Sequence, residues 1–137
     1  MSRKEKRDKG ANEAVGSGKL RLLTEEPFRI FFPLGVLTSV VGVSLWPLLY
    51  FGWLPYYPGL EHTRLMMGGF IGAFALGFLS TALPRMMTAP HLRVWELLVL
   101  LSLYLAAMVG YVCNQGFLGD AALLSFLAFF FVSITVR

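Results

Sequence analysis

The sequence predicts an all-α protein: a polytopic transmembrane bundle of about four helices preceded by a disordered N-terminal tail. Hydrophobic residues make up 56% of the 137 residues, and eight of the twelve Lys and Arg residues precede residue 30. A water-soluble domain needs charged residues distributed over its whole surface. The remaining chain instead contains long apolar runs without charge, which indicates helices surrounded by lipid.

Residues 1–24 form a basic, polar segment without hydrophobic periodicity, which is typical of a disordered tail. Lys and Arg next to a membrane span favour the cytoplasmic side, where they meet anionic lipid. We therefore predict a cytoplasmic tail over 1–24 and a transmembrane domain over 25–137. The expected partner is the lipid bilayer, and no nucleic-acid partner is predicted.

The first predicted span, 31–54, carries no charged residue and is long enough to cross the hydrocarbon with some tilt. Pro33 lies near its start, and Pro47 lies well inside it, where a proline predicts a kink. Aromatic residues are concentrated at the far end, as in an interfacial belt. They are Trp46, Tyr50, Trp53, Tyr56 and Tyr57.

Three further spans are predicted at 65–83, 97–113 and 121–136. Pro84 is expected to stop the second, and "NQGFLGD" is expected to form a tight loop before the fourth. The fourth is shorter than the roughly 20 residues that a full crossing needs. Because the chain ends directly after it, at Arg137, we expect the sequence to be part of a longer membrane protein.

The positions of the arginines predict an orientation. Arg85 and Arg93 lie between the second and third spans, on the same side as the basic tail, whereas the opposite loops contain only Arg64. By the positive-inside rule the tail and the Arg85 loop are cytoplasmic. The prediction is a multi-pass protein of the inner (plasma) membrane with a cytoplasmic N-terminus.

Small residues recur every four positions in the second span, at Gly69, Ala73, Gly77 and Thr81. This spacing places them on one helix face. In lipid, small residues allow two helix backbones to approach closely. The face is therefore predicted to pack against partner helices, within the chain or in a homo-oligomer.

His62 and Met66 are one helical turn apart, and an imidazole with a thioether suits Cu(I). Cys113, predicted at the same membrane surface, is a candidate third ligand. The alternative is an interfacial histidine and a methionine that fills a gap between helices.

A second set of soft ligands, Met86, Met87 and His91, lies at the other end of the second span. The two ends are about 27 Å apart at the helical rise. A haem held by both histidines of one chain is therefore not predicted.

The sequence shows no catalytic constellation, and enzymatic activity is not predicted. Glu61, Glu96 and Asp120 all lie at predicted span ends, where solvated caps are expected. No carboxylate falls inside a predicted span, so a proton relay through the membrane has no carrier.

Two stretches resemble the NnrS family: "PFRIFFPLGVL" and "HTRLMMGGFIGAFALGFLSTALPRMMTAP". The matching residues are His62, Met66, Gly69, Phe70, Gly77, Phe78, Leu79, Thr81, Ala82 and Pro84. The resemblance implies a multi-span inner-membrane protein that binds haem and copper and acts in denitrification, nitric oxide response and tolerance of nitrosative stress.

The chain departs from the family pattern at two positions. Arg64 and Leu65 stand where the family has a histidine and a glutamate, and an arginine does not lose its proton to ligate a metal. His62 and Met66 remain as candidate ligands. Two functions stay open: an NnrS-type protein with haem or copper, and a non-catalytic membrane module that assembles with partner helices without a cofactor.

Overall fold

The computed structural model describes residues 26–87, 90 and 92–136, so the predicted tail lies outside the described residues. Four helices follow one another along the chain. They are α1 (Phe28–Tyr50), α2 (three consecutive segments, Gly59–Arg64, Leu65–Ile71 and Gly72–Met87), α3 (Val94–Val112) and α4 (Gly116–Thr135). The described ranges contain no strand, which confirms the all-α prediction.

Each of the four helices is long and apolar enough to cross a bilayer. Most residues of these helices are nevertheless not buried inside the bundle: the buried share is 39% in the most apolar stretch of α2 and 22% in that of α4. Such apolar exposure would be unfavourable in water. The fold therefore places these residues in lipid, as expected for a multi-pass membrane protein.

The bundle consists of two helix pairs, α1 with α2 and α3 with α4. The pairs meet through three buried aromatic side chains, Phe31 of α1, Tyr104 of α3 and Phe126 of α4. Their ring centroids lie 6.0–6.1 Å apart. These rings form the centre of the core.

The first helix ends at Tyr50, four residues before the predicted end of the span. Gly52 has φ +72°, a left-handed conformation that glycine adopts without strain. Its N–H bonds to the Leu49 carbonyl, and the next N–H, of Trp53, bonds to the Leu48 carbonyl. This is the Schellman motif, which satisfies the last carbonyls and terminates the helix.

The third helix ends with the same motif, at the same end of the bundle. Asn114 takes the left-handed position with φ 57°, and its N–H bonds to the Tyr111 carbonyl. The N–H of Gln115 bonds to the Gly110 carbonyl. Asn is the residue other than Gly that most readily takes this role.

Pro84 does not stop α2, contrary to the sequence prediction, because the helix continues through it to Met87. Pro84 is buried against the bundle. The hydroxyls of Ser80 and Thr81 both donate to the Gly77 carbonyl, at 3.1 and 3.0 Å. These bonds do not reach the Ser80 carbonyl, which is the group that loses its helical donor at Pro84. In lipid, a proline is tolerated inside a helix where neighbouring helices pack against it.

The fourth helix begins at Gly116, earlier than predicted, and its 20 residues suffice for a full crossing. The glycines of "NQGFLGD" therefore serve helix packing as well as the turn. A Cβ on Gly110 would lie 2.9 Å from the backbone nitrogen of Gly119, and one on Gly119 would collide with the Tyr111 ring. Glycine at both positions lets α3 and α4 approach closely.

Candidate functional site

His62 lies half-buried near the start of α2 and faces α1. Its Nδ1 is 2.9 Å from the Gly42 carbonyl oxygen. A carbonyl can only accept, so Nδ1 carries a proton, and in the neutral form of the ring Nε2 has the free lone pair. Trp46 packs edge-on against the imidazole, with 5.8 Å between ring centroids. The ring is thus held in one orientation and in one tautomer.

Met66 lies against the same glycine of α1. Its Sδ is 3.3 Å from the position that a Cβ on Gly42 would occupy. His62 and Met66 therefore both lie against the same residue of α1, Gly42. Sequence reasoning overlooked this glycine, although Gly35, Thr38, Gly42 and Leu45 repeat at spacings of three and four and are all buried.

Met66 belongs to a π-helical segment, Leu65–Ile71, in the middle of α2. Such wider turns are rare and occur frequently at functional sites. The segment also contains Gly69, whose carbonyl accepts a hydrogen bond from the Tyr104 hydroxyl at 3.1 Å. The same hydroxyl is 2.9 Å from Thr38 Oγ1. The π-helical turn is thereby fixed to α1 and α3.

The predicted packing face of α2 lies against α1. A Cβ on Gly69 would collide with Thr38 and approach Met108 Sδ to 2.7 Å, and one on Gly77 would lie 2.9 Å from Phe31 Cβ. Ala73 and Thr81 are buried. The partner of this face is chiefly a helix of the same chain.

Cys113 lies just after the last residue of α3. It is exposed at one end of a groove of about 280 Å³ between α1 and α3, whose lining includes neither His62 nor Met66. The described residues contain no group of three or more His, Cys, Asp and Glu side chains arranged to hold a metal ion. His91 lies outside them, and Met86 is exposed.

Beside His62 lies a cluster of charged residues that the sequence did not predict. Arg64 donates from Nη1 to Glu61 Oε1 at 2.9 Å and from Nη2 to Asp120 Oδ2 at 2.7 Å. Tyr111 donates to the other oxygen of Asp120 at 3.0 Å. These four residues, the Arg64 cluster, join α2, α3 and α4.

Glu61 and Glu96 are not the solvated caps that the sequence predicted, since both are at least nine-tenths buried. Glu96 accepts a hydrogen bond from the Arg93 backbone N–H and so caps α3. For Glu61, no donor among the described residues reaches Oε2. A carboxylate is therefore buried within the bundle near the start of α2, where the sequence predicted a solvated one.

The loop between α1 and α2 is attached to α3 by Tyr56, which donates to the Val112 carbonyl at 2.9 Å. Burial raises the pKa of Tyr56 above its ordinary value, and the neighbouring charges of Glu61 and Cys113 raise it further. The phenol accordingly stays protonated and keeps its hydrogen bond to α3.

Comparison with known protein families gives one result that covers most of the chain: residues 22–137 match the family described as NnrS protein. No curated protein matches the chain, and no solved structure matches it. The family match includes all four helices and the His62–Met66 pair. The chain therefore belongs to the NnrS protein family.

Proposed function

We propose that the protein acts in the nitric oxide response and denitrification, and that His62 is its ligand for copper or haem iron. The hydrogen bond between His62 Nδ1 and the Gly42 carbonyl carries this proposal. Histidines that ligate metals usually donate their other ring N–H to a carbonyl or carboxylate, which orients the ring. That arrangement leaves Nε2 available here.

Met66 would be the second ligand when the metal is copper. Its thioether lies against Gly42, the residue whose carbonyl is hydrogen-bonded to the imidazole, and both donors suit Cu(I). Bound copper or haem iron would supply an open coordination position for a small ligand such as nitric oxide. Trp46 packs edge-on against the imidazole, which restricts the orientation of the ring.

A different observation favours the second candidate function, a membrane module without a cofactor. Arg64, at the position of a family histidine, is held between Glu61 and Asp120 and has a structural role. The described residues also lack a three-ligand cluster. In this function the exposed apolar faces would assemble with partner helices or with a second copy.

Purification in detergent from cells grown with copper and iron separates the two functions. A Soret band or stoichiometric copper is expected in the wild type and is expected to be lost in His62→Ala. Met66→Leu should lower copper occupancy. Met67→Leu is the matched control, because Met67 is the neighbouring thioether and is 61% exposed. Colourless, copper-free wild-type protein would support the module instead.

A further inference from the structure

The end of the bundle opposite the Arg64 cluster contains a groove between the start of α1 and the last turns of α2. Its volume is about 470 Å³, and its walls are almost entirely apolar. Phe28 and Phe32 line it from α1, and Phe78 and Met86 line it from α2. Phe78 is 61% exposed and Met86 is 81% exposed, so the α2 wall of the groove faces the outside of the bundle.

Charged side chains stand at the mouth of this groove. Arg85 is part of the lining, and Arg29 lies over the Phe28 ring at 5.9 Å. Both arginines pair with a single carboxylate, Glu26. We call Glu26, Arg29 and Arg85 the Arg85 mouth, and its net charge is +1.

Glu26 does not occupy all the hydrogen-bond donors of either arginine. Arg85 meets it through Nη2 at 3.5 Å, at the long limit of a hydrogen bond, and the Arg85 side chain is 58% exposed. Arg29 is 57% exposed. A guanidinium has five N–H donors in a fork that fits a phosphate. The mouth therefore presents donors and positive charge at the point where α2 leaves the hydrocarbon.

We infer that this groove binds an anionic phospholipid, with an acyl chain along the phenylalanines and the headgroup phosphate on Arg85 and Arg29. The occupant follows from charge complementarity. An apolar groove with a neutral mouth would take any lipid, whereas a mouth of charge +1 selects an anionic one. Glu26 sets the strength of this selection, because it neutralises half of the positive charge. The inference does not depend on a metal at His62.

The test uses the full chain in nanodiscs that contain a minority of phosphatidylglycerol in phosphatidylcholine. Phe78 is replaced by the photo-crosslinking residue p-benzoylphenylalanine, an aromatic change at an exposed position. Mass spectrometry of the irradiated protein then identifies what the groove contains. We expect phospholipid adducts in which phosphatidylglycerol is enriched about fivefold over its share of the nanodisc, the factor for one basic group at a membrane surface.

Phe131 provides the matched control, because it is 62% exposed on α4 and does not line the groove. The same crosslinker there should capture lipids close to their proportions in the nanodisc. In the Phe78 background, Arg85→Gln should abolish the enrichment and Glu26→Gln should increase it. Arg93→Gln, an exposed arginine outside this groove, should leave it unchanged.

Three outcomes would overturn the inference. The first is a phosphatidylglycerol share at Phe78 that equals the share at Phe131. The second is an enrichment that is insensitive to both Arg85→Gln and Glu26→Gln. The third is crosslinking of Phe78 to residues 1–25 or to a second copy in place of lipid, which would mean that protein occupies the groove.

Discussion

The two ends of the bundle use the same residue types in different surroundings. At one end Arg64 pairs with Glu61, whose side chain is 6% exposed, and with Asp120 across the helix interface. At the other end Arg85 pairs with Glu26 through a longer contact between two exposed or half-buried side chains. The Arg64 cluster joins three helices, whereas the Arg85 mouth borders an open groove.

The comparison shows that burial determines the role of an ion pair. Exposed pairs contribute little to stability, because water and salt screen them and long side chains lose entropy when they pair. A buried pair contributes through the cost of leaving one partner alone, since an unpaired charge in a low-dielectric environment is strongly unfavourable. The Arg64 cluster therefore stabilises the contact between helices, whereas the arginines of the Arg85 mouth remain available to bind an anion.

The largest expected effect concerns the packing of α2 against α1, which extends from the middle of the bundle to the Arg85 end. Gly69→Leu and Gly77→Leu should each destabilise the protein by more than about 3 kcal/mol, because both side chains would collide with α1. Gly72→Leu is the control, since a Cβ there meets only the Met67 carbonyl oxygen at 3.6 Å. Reversible unfolding in mixed micelles measures the difference. Wild-type stability of Gly77→Leu would show that the Arg85 end is loosely packed as well.

The next effect distinguishes the ends directly. Arg64→Leu should cost about 3 kcal/mol, the lower part of the range for breaking a buried pair, because Arg64 is 30% exposed. It leaves Glu61 buried without its cation and Asp120 without its strongest donor. The same unfolding titration applies. A loss under about 1 kcal/mol would mean that water reaches Glu61 and that the two ends are alike.

A smaller effect is expected midway between the ends. Tyr104→Phe should cost about 1 kcal/mol, since it removes the hydroxyl that bonds the Gly69 carbonyl and contacts Thr38 while leaving the ring in place. Ser102→Ala on the same helix, where the hydroxyl is exposed, should be neutral. If the two variants are equally stable, the Tyr104 hydroxyl does not contribute to holding the π-helical turn in place.

The smallest effect is expected at the Arg85 mouth. Arg85→Leu should change the free energy of unfolding by less than about 1 kcal/mol, because its ion pair is exposed. Raising the salt concentration should reduce even this difference. Melting curves of Arg85→Leu and Arg64→Leu at low and high salt make the comparison. If Arg85→Leu lowers the free energy of unfolding as much as Arg64→Leu does, the Arg85 ion pair stabilises the bundle as the Arg64 cluster does, and the distinction between the two ends is wrong.

Two local sequence patterns were enough to predict the helices in lipid and the packing face of α2. The absence of charge across each apolar run is enough to indicate a helix in lipid, and the four-residue spacing of small residues is enough to indicate a packing face. Helix ends were less predictable. Pro84 and the glycines of "NQGFLGD" are turn signals in isolation, but in this bundle they lie inside helices that neighbouring backbones support.

The sequence by itself predicted an apolar environment for this protein, its helical class, four long apolar helices and the spacing of His62 and Met66 along α2. These follow from composition and from helical periodicity, which involve only neighbours along the chain. The tertiary structure alone decided that His62 is hydrogen-bonded to the Gly42 carbonyl, that Arg64 joins Asp120 across 56 positions, and that Glu61 is buried. Contacts between helices depend on which faces meet, and no local spacing determines that.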